Sequence, residues 1–180
     1  IDRRYGRLDA LVNNAGIVDR AVCVEDMTAA RVTRMFAVNA VGAFVCAREA
    51  IRRMSTASGG LGGAIVNVSS GASRLGSPDE YVDYAASKGA LDTFTIGLAK
   101  ELAANGIRVN AVRAGITATD IHAATGDPAR AGRLAPRIPM KRVARPEEIA
   151  AAILWLLSDE AFFVTGALLG VTRGLWSHVW

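Results

Sequence analysis

Short apolar runs alternate along this chain with much longer stretches of helical spacing, and this alternation limits the fold more than any other feature. Ala10 to Val12, the β-branched run Ala64-Ile65-Val66-Asn67-Val68, Ile107 to Val112 and Ala167-Leu168-Leu169 read as strands. Between the first two lies a helical pattern that Thr28 can cap, with Val32, Met35, Phe36, Ala43, Ala47, Ile51 and Met54 on one face and Asn39 and Gly42 interrupting it. The glycine cluster Gly59 to Gly63 ends that helix. A second helix is expected from about Tyr84 to Ala104, stopped by Asn105-Gly106, and a third opens on Pro146. Strands linked by helices of this length form parallel pairs with the helices packed on the sheet, so the fold class is α/β with a doubly wound parallel sheet.

With 180 residues, 51% of them hydrophobic, the chain has enough material for one core. No linker, repeat or low-complexity segment divides it, so residues 1–180 read as a single domain. The looser stretch from Arg113 to about Arg142, with Gly115, Gly126, Pro128, Pro136 and Pro139, has the length of a functional lid.

Composition removes several classes of function. No apolar run reaches the roughly 18 residues of a membrane span, and Ile1-Asp2-Arg3-Arg4 lacks the apolar core of a signal peptide, so a cytoplasmic protein with no membrane partner is expected. Cys23 and Cys46 form neither a CxxC motif nor a disulfide framework. His122 and His178 have no neighbouring ligands at useful spacing, and no metal is expected. The net charge of +4 comes from arginines scattered along the chain, which does not favour nucleic acid; Pro139 to Arg145, the one dense basic stretch, reads as a solvated loop.

Four places carry candidate chemistry. Tyr84 and Lys88 are four apart on a helix and share a face; an ammonium beside a phenol favours the phenolate and brings tyrosine toward working range. Taken alone, such a pair is also an ordinary helix surface contact. Ser70 follows a strand where open parallel sheets bind ligands, and its hydroxyl can polarise a carbonyl or merely close a turn. Asn13-Asn14-Ala15-Gly16 ends a strand with small residues that admit a ligand to the backbone, as any tight turn would. Asn39 sits within an apolar helix, where its amide must find partners.

Taken together and in order, Asn13-Asn14-Ala15-Gly16, Asn39 with Gly42, Ser69-Ser70, Tyr84-Ala85-Ala86-Ser87-Lys88 and Arg108-Val109-Asn110 resemble the short-chain dehydrogenase/reductase family over essentially the whole chain. The resemblance implies a three-layer Rossmann-like fold and hydride transfer between NAD or NADP and a small-molecule carbonyl or alcohol. By it, Tyr84 exchanges a proton with the substrate oxygen, Ser70 hydrogen-bonds that oxygen, Lys88 holds the nicotinamide ribose and lowers the tyrosine pKa, and Asn39 anchors a water in the proton relay. Asn13, Ala15 and Gly16 would line the ribose side, and Gly115, Thr117 and Thr119 the nicotinamide side. A homodimer or homotetramer is expected through the two long helices.

This sequence also departs from the family pattern. The glycine-rich pyrophosphate turn is not found, so N-terminal strands, on the order of 70 residues or more, are expected to be missing. Ala114-Gly115 stands in place of Pro-Gly, Arg173 lies near an unfamiliar tail, Leu175 to Trp180, and Tyr81 competes with Tyr84 but has Ala85 four residues on. The rival reading is a truncated, non-catalytic remnant that serves only in folding or association.

Overall fold

The computed structural model describes residues 2–172 and 174; Arg173 and the tail that contains His178 lie outside them. In chain order the elements are α1 (Asp2–Tyr5), β1 (Ala10–Asn13), α2 (Ala29–Phe36), α3 (Gly42–Met54), β2 (Gly63–Ser70), α4 (Ala72–Leu75), α5 (Val82–Leu102), β3 (Ile107–Ala114), α6 (Ile121–Ala124), α7 (Arg130–Leu134), α8 (Pro146–Leu157) and β4 (Leu168–Val171). The four strands form one parallel sheet in the order β1-β2-β3-β4, with Ala10 beside Ala64, Ile65 beside Val109 and Val112 beside Leu169.

Alternation along the strands divides the core in two. Ile65, Ile107 and Val109 face Ala47, Ala50 and Met54 of α3 and Leu98, Ala99 and Leu102 of α5. Their neighbours Val66 and Val112 face Ile149 and Leu156 of α8 on the other side. Both faces of the central strands β2 and β3 are therefore dry, which is why these strands are nearly continuous apolar runs. Burying each large aliphatic side chain in these layers contributes about 1.5–3 kcal/mol. Because α8 crosses on the face opposite α3 and α5 while the strand order advances in one direction, the β3-to-β4 connection has the opposite hand to the two before it. The long segment from Gly115 to Arg145 makes that switch possible by passing over the carboxyl ends of the strands.

The first long helix starts as the sequence indicates, with the Thr28 hydroxyl accepting the Arg31 N–H at 3.2 Å. It is not regular throughout: Ala37–Val41 winds as a π turn between α2 and α3, with Asn39 and Ala40 buried in it. The extra residue in a π turn rotates side chains off the regular stripe, and here it turns Asn39 inward. By length and composition alone the 26 residues Ala29–Met54 could cross a membrane. In this fold they connect two parallel strands, and Ala43, Ala47, Ala50 and Met54 form the buried face.

Helix α5 opens at Val82, two residues earlier than expected. The Ser77 to Glu80 turn, with Ser77 and Asp79 at positive φ, ends in Tyr81, whose N–H donates to the Ser77 carbonyl at 3.0 Å and whose own carbonyl accepts from Ala85. Tyr84 is therefore in the first helical turn, close to the strand ends, rather than at a frayed terminus.

Candidate active site

The carboxyl ends of β1, β2 and β3 open into a cleft of about 1070 Å³. Val12, Ser70 and Ala114 lie at its floor, Tyr84 and Lys88 of α5 form one wall, and Arg130, Leu134 and Arg137 from the segment after β3 lie over it. The stretch expected to be a lid is thus a roof built of two short helices and a 3-10 turn. Its base is fixed: Ala144 donates to the Ile116 carbonyl at 2.9 Å and Ala118 to the Ala144 carbonyl at 2.8 Å. These bonds restrain the loop after Ala114-Gly115 without the fixed φ of a proline.

Seven of the expected site residues line this cleft: Gly16, Ser70, Tyr84, Lys88, Gly115, Thr117 and Thr119. Ser70 ends β2 and accepts the Ala72 N–H at 3.1 Å, which holds its hydroxyl at the strand tip. The Ser70 hydroxyl favours the charged form of the neighbouring Tyr84 phenol. The Lys88 ammonium donates to the Val68 carbonyl at 2.8 Å and lies 5.8 Å from the centre of the Tyr84 ring. Thr117 donates to the Gly115 carbonyl at 3.0 Å, shaping the turn opposite the Ser–Tyr–Lys wall.

Electrostatics in the cleft depart from the expectation drawn from the Tyr–Lys spacing. Burial pushes the Tyr84 phenol above its ordinary value; the Ser70 hydroxyl and the charge of Arg130 oppose that rise, and Lys88 is not among its causes. Lys88 is the group brought into working range, lowered to about 8 by burial despite the opposing charge of Asp92. Desolvation outweighs pair attraction for both groups. At neutral pH the site therefore holds a protonated phenol next to a mostly protonated amine.

The remaining three expected residues act from outside the cleft. The Asn39 side chain accepts from the Ile17 N–H at 2.7 Å and donates to the Ile17 carbonyl at 2.9 Å and to the Ser87 hydroxyl at 3.0 Å. Through these partners it bolts the Gly16-Ile17 wall to α5. Asn13 donates to the Asn67 side chain at 2.8 Å, and Asn67 to Thr95 at 2.8 Å, a buried polar chain from β1 through β2 to α5. Ala15 is exposed and lies outside the cleft lining, to which Val12, Asn14, Gly16 and Val18 contribute instead. Asn110, from the last matched motif, likewise fastens structure, donating to the Val164 carbonyl and accepting from the Ala167 N–H ahead of β4.

Several supporting residues went unnoticed in the sequence. Asp83 is buried beside Tyr84, takes a two-pronged contact from Arg31 at 2.8 and 3.3 Å, and accepts the Tyr84 N–H at 2.9 Å. Asp92, one turn beyond Lys88, pairs with Arg113 at 2.9 Å. Tyr81, which the sequence offered as the competitor of Tyr84, lines the cleft beneath the Arg130 guanidinium. The available signal was charge at buried positions: Asp83 and Asp92 interrupt the small and apolar face of α5, and a charge there requires a partner.

The family model for enoyl-(acyl carrier protein) reductase matches residues 1–176. The chain belongs to the short-chain dehydrogenase/reductase family. It is 56% identical over 174 residues to an uncharacterized oxidoreductase, YgfF, of Escherichia coli, covering 97% of this chain and 70% of that protein. It is 41% identical to the 3-oxoacyl-(acyl-carrier-protein) reductase FabG of Thermotoga maritima, covering 96% of this chain and 68% of the relative, and 41% identical to a cis-4-hydroxycyclohexanecarboxylate dehydrogenase of Sinomonas cyclohexanicum, covering 94% and 66%. Among solved structures, a short-chain type dehydrogenase/reductase from Mycobacterium marinum superposes with a TM-score of 0.89 at 31% identity, over 97% of this chain and 67% of that one. The chain thus spans about two thirds of the length of the short-chain dehydrogenases it matches.

Proposed function

We propose that this short-chain dehydrogenase/reductase interconverts a carbonyl and an alcohol, with Tyr84 as the proton donor and acceptor. The observation that carries the reading is the convergence of the Ser70 hydroxyl, the Tyr84 phenol and the Lys88 ammonium on one wall of a single cleft. A remnant that served only in association would have no need of a desolvated lysine at that spot, and the assembled wall favours the enzyme.

The cleft fits a nicotinamide nucleotide, NAD or NADP, on this chain's own residues. A Cβ at Gly16 would lie 3.2 Å from the Lys88 nitrogen and fill the cradle in front of it, and Lys88 has donors to spare beyond the one held by Val68. Gly16, Tyr84 and Lys88 would hold the ribose side, and Gly115, Thr117 and Thr119 the nicotinamide side. When bound, the nicotinamide supplies the hydride in reduction and takes it in oxidation. Ser70 donates to the substrate oxygen, Tyr84 passes its proton to that oxygen as the alcohol forms, and Lys88 stabilises the phenolate that remains. In oxidation the same proton returns to Tyr84.

A cytoplasmic setting and self-association belong to the same proposal. Val41, Phe44 and Val45 of the first long helix and Ile96 of α5 are exposed, with Phe44 stacked on Phe94, and such an apolar surface on two neighbouring helices suits a second copy of the chain.

Replacing Tyr84 by Phe removes the proton without removing the ring. NAD(P)-dependent turnover of a panel of aldehydes and ketones is expected to fall by about 10²–10⁴ with the fold retained. Undiminished turnover in that variant would refute the assignment.

A further inference from the structure

Two arginines over the cleft, Arg130 and Arg137, have no assigned contact with the substrate oxygen or the cofactor, although the charge of Arg130 acts on the Tyr84 phenol. Arg130 begins α7 with only 18% of its side chain exposed, lies over the Tyr81 ring at 5.1 Å, and donates through one terminal nitrogen to Glu80 at 2.8 Å. Its Nε is buried without a hydrogen-bond partner. Arg137 is exposed and makes no ion pair or hydrogen bond among the described residues. Glu80 is the one carboxylate among the residues lining the cleft, against Lys88, Arg130 and Arg137.

We infer that the substrate carries a carboxylate, and that Arg130, assisted by Arg137, grips it while the carbonyl end reaches Tyr84. The buried Nε gives the guanidinium one donor that the protein leaves unpaired, and because Arg130 lines the cleft its accessible terminal N–H groups are where an anion would offset that cost. The planar fork of arginine matches a carboxylate in two parallel hydrogen bonds, which a neutral substrate cannot supply. Tyr81 holds the fork flat from below, and Glu80 fixes one end of it, so the remaining donors are oriented before the ligand arrives. The excess of positive charge in the cleft draws in an anion and disfavours an equally shaped neutral molecule. This inference rests on the oxidoreductase reading only for the reacting end of the substrate; the anion grip stands on the arginines.

The test compares 4-oxopentanoate and 4-formylbenzoate with their methyl esters, and in parallel titrates unreactive benzoate and benzamide by calorimetry. The acids are expected to exceed their esters in kcat/KM by about tenfold or more, the ordinary reach of a charge-assisted pair. Arg130→Met should bring that ratio to about one, Arg130→Lys should leave it intermediate, and Arg137→Ala, on an exposed side chain that folding does not require, should lower it severalfold. Benzoate should bind saturably and benzamide at least tenfold more weakly, with the difference lost in Arg130→Met. Esters preferred over acids, or benzoate that does not bind while esters turn over, would overturn the inference and leave the oxidoreductase reading intact. Arg130-dependent benzoate binding with no turnover of any carbonyl would do the reverse. A tenfold loss of NADH affinity in Arg130→Met would assign the arginine to the cofactor's phosphates and also overturn it.

Discussion

The Lys88 ammonium donates to the carbonyl oxygen of Val68 at 2.8 Å, which ties α5 to β2 two residues before Ser70. Together with the Ser69 hydroxyl donating to the Lys88 carbonyl at 3.3 Å and Asn67 donating to Thr95 at 2.8 Å, this bond sets the height of the helix against the strand. With Lys88 fixed, Tyr84 one turn earlier must arrive beside the strand tip, where Ser70 meets it. The bond also orients an amine whose surroundings, with only 4% of the residue exposed, disfavour its charge. The catalytic wall is thus held together by a group that destabilises the fold at neutral pH.

Replacing Lys88 by Met should show both sides of that relationship. Turnover is expected to fall by about 10²–10⁴, as for loss of a general acid–base partner. Stability should move the other way. Lys88 has a folded pKa of about 8 against 10.5 unfolded, so between these values the unfolded state binds more protons and the wild-type protein gains stability as pH rises. The Met variant lacks that gain. Its melting temperature should exceed that of the wild type at pH 7, and the difference should narrow from pH 8 to 10.5; a difference constant over that range contradicts the desolvated amine.

The same pKa directions fix the pH dependence of activity. Reduction needs the phenol proton of Tyr84 and a charged Lys88, so kcat/KM for a ketone should decline as pH rises through about 8. Oxidation needs the phenolate, which burial holds back, so alcohol oxidation should climb toward alkaline pH. Asp92 opposes the lowering of Lys88, and Asp92→Asn should move the falling limb of reduction to lower pH. Parallel profiles in the two directions would contradict this arrangement.

Asn39→Ala should disrupt the wall without touching the cleft. The substitution strands the Ile17 N–H and carbonyl and frees Ser87, and each buried group left unpaired costs about 1–3 kcal/mol. Denaturant unfolding should register a loss of about 2 kcal/mol or more, and activity should fall because Gly16 and Val18 follow Ile17. Full stability with lost activity would instead point to a direct role in proton transfer.

How far the sequence revealed this arrangement depended on the range of the interactions. Strand cores such as Ile65-Val66 and Val109 to Val112, the Thr28 cap and the Gly106 stop were legible because they are set by neighbours along the chain. The start of α5 falls two residues before its approximate bound at Tyr84 because the Ser77 to Glu80 turn, with positive φ at Ser77 and Asp79, delivers Tyr81 directly to the helix. Ser70, Tyr84 and Lys88 could be placed in one cleft from their positions at a strand end and on one helix face. The burial that raises Tyr84 and lowers Lys88 comes from segments distant in sequence that pack on α5, among them α2, β2 and β3, and helical spacing alone therefore gave the wrong direction for Tyr84. Asn13 and Asn39 were marked by polarity in apolar surroundings, but their partners, Asn67, Ile17 and Ser87, lie on other elements, so their work as fasteners was hidden.

The Arg31–Asp83 pair gives a last prediction, since it supports Tyr84 from below without entering the cleft. Asp83 has 1% of its side chain exposed and Arg31 12%, and Arg31 also donates to the Arg20 carbonyl at 2.7 Å. Removing one partner leaves a buried charge alone, so Arg31→Met should destabilise by about 3–5 kcal/mol. Replacing both, Arg31→Met with Asp83→Leu, removes the stranded charge and should recover much of that loss. The double variant still lacks the Asp83 oxygen that accepts the Tyr84 N–H at 2.9 Å, so the first turn of α5 should fray. Stability restored with turnover still reduced several-fold is the expected outcome, read from denaturant midpoints and initial rates on the same samples. Turnover restored together with stability would show that the pair only holds the fold.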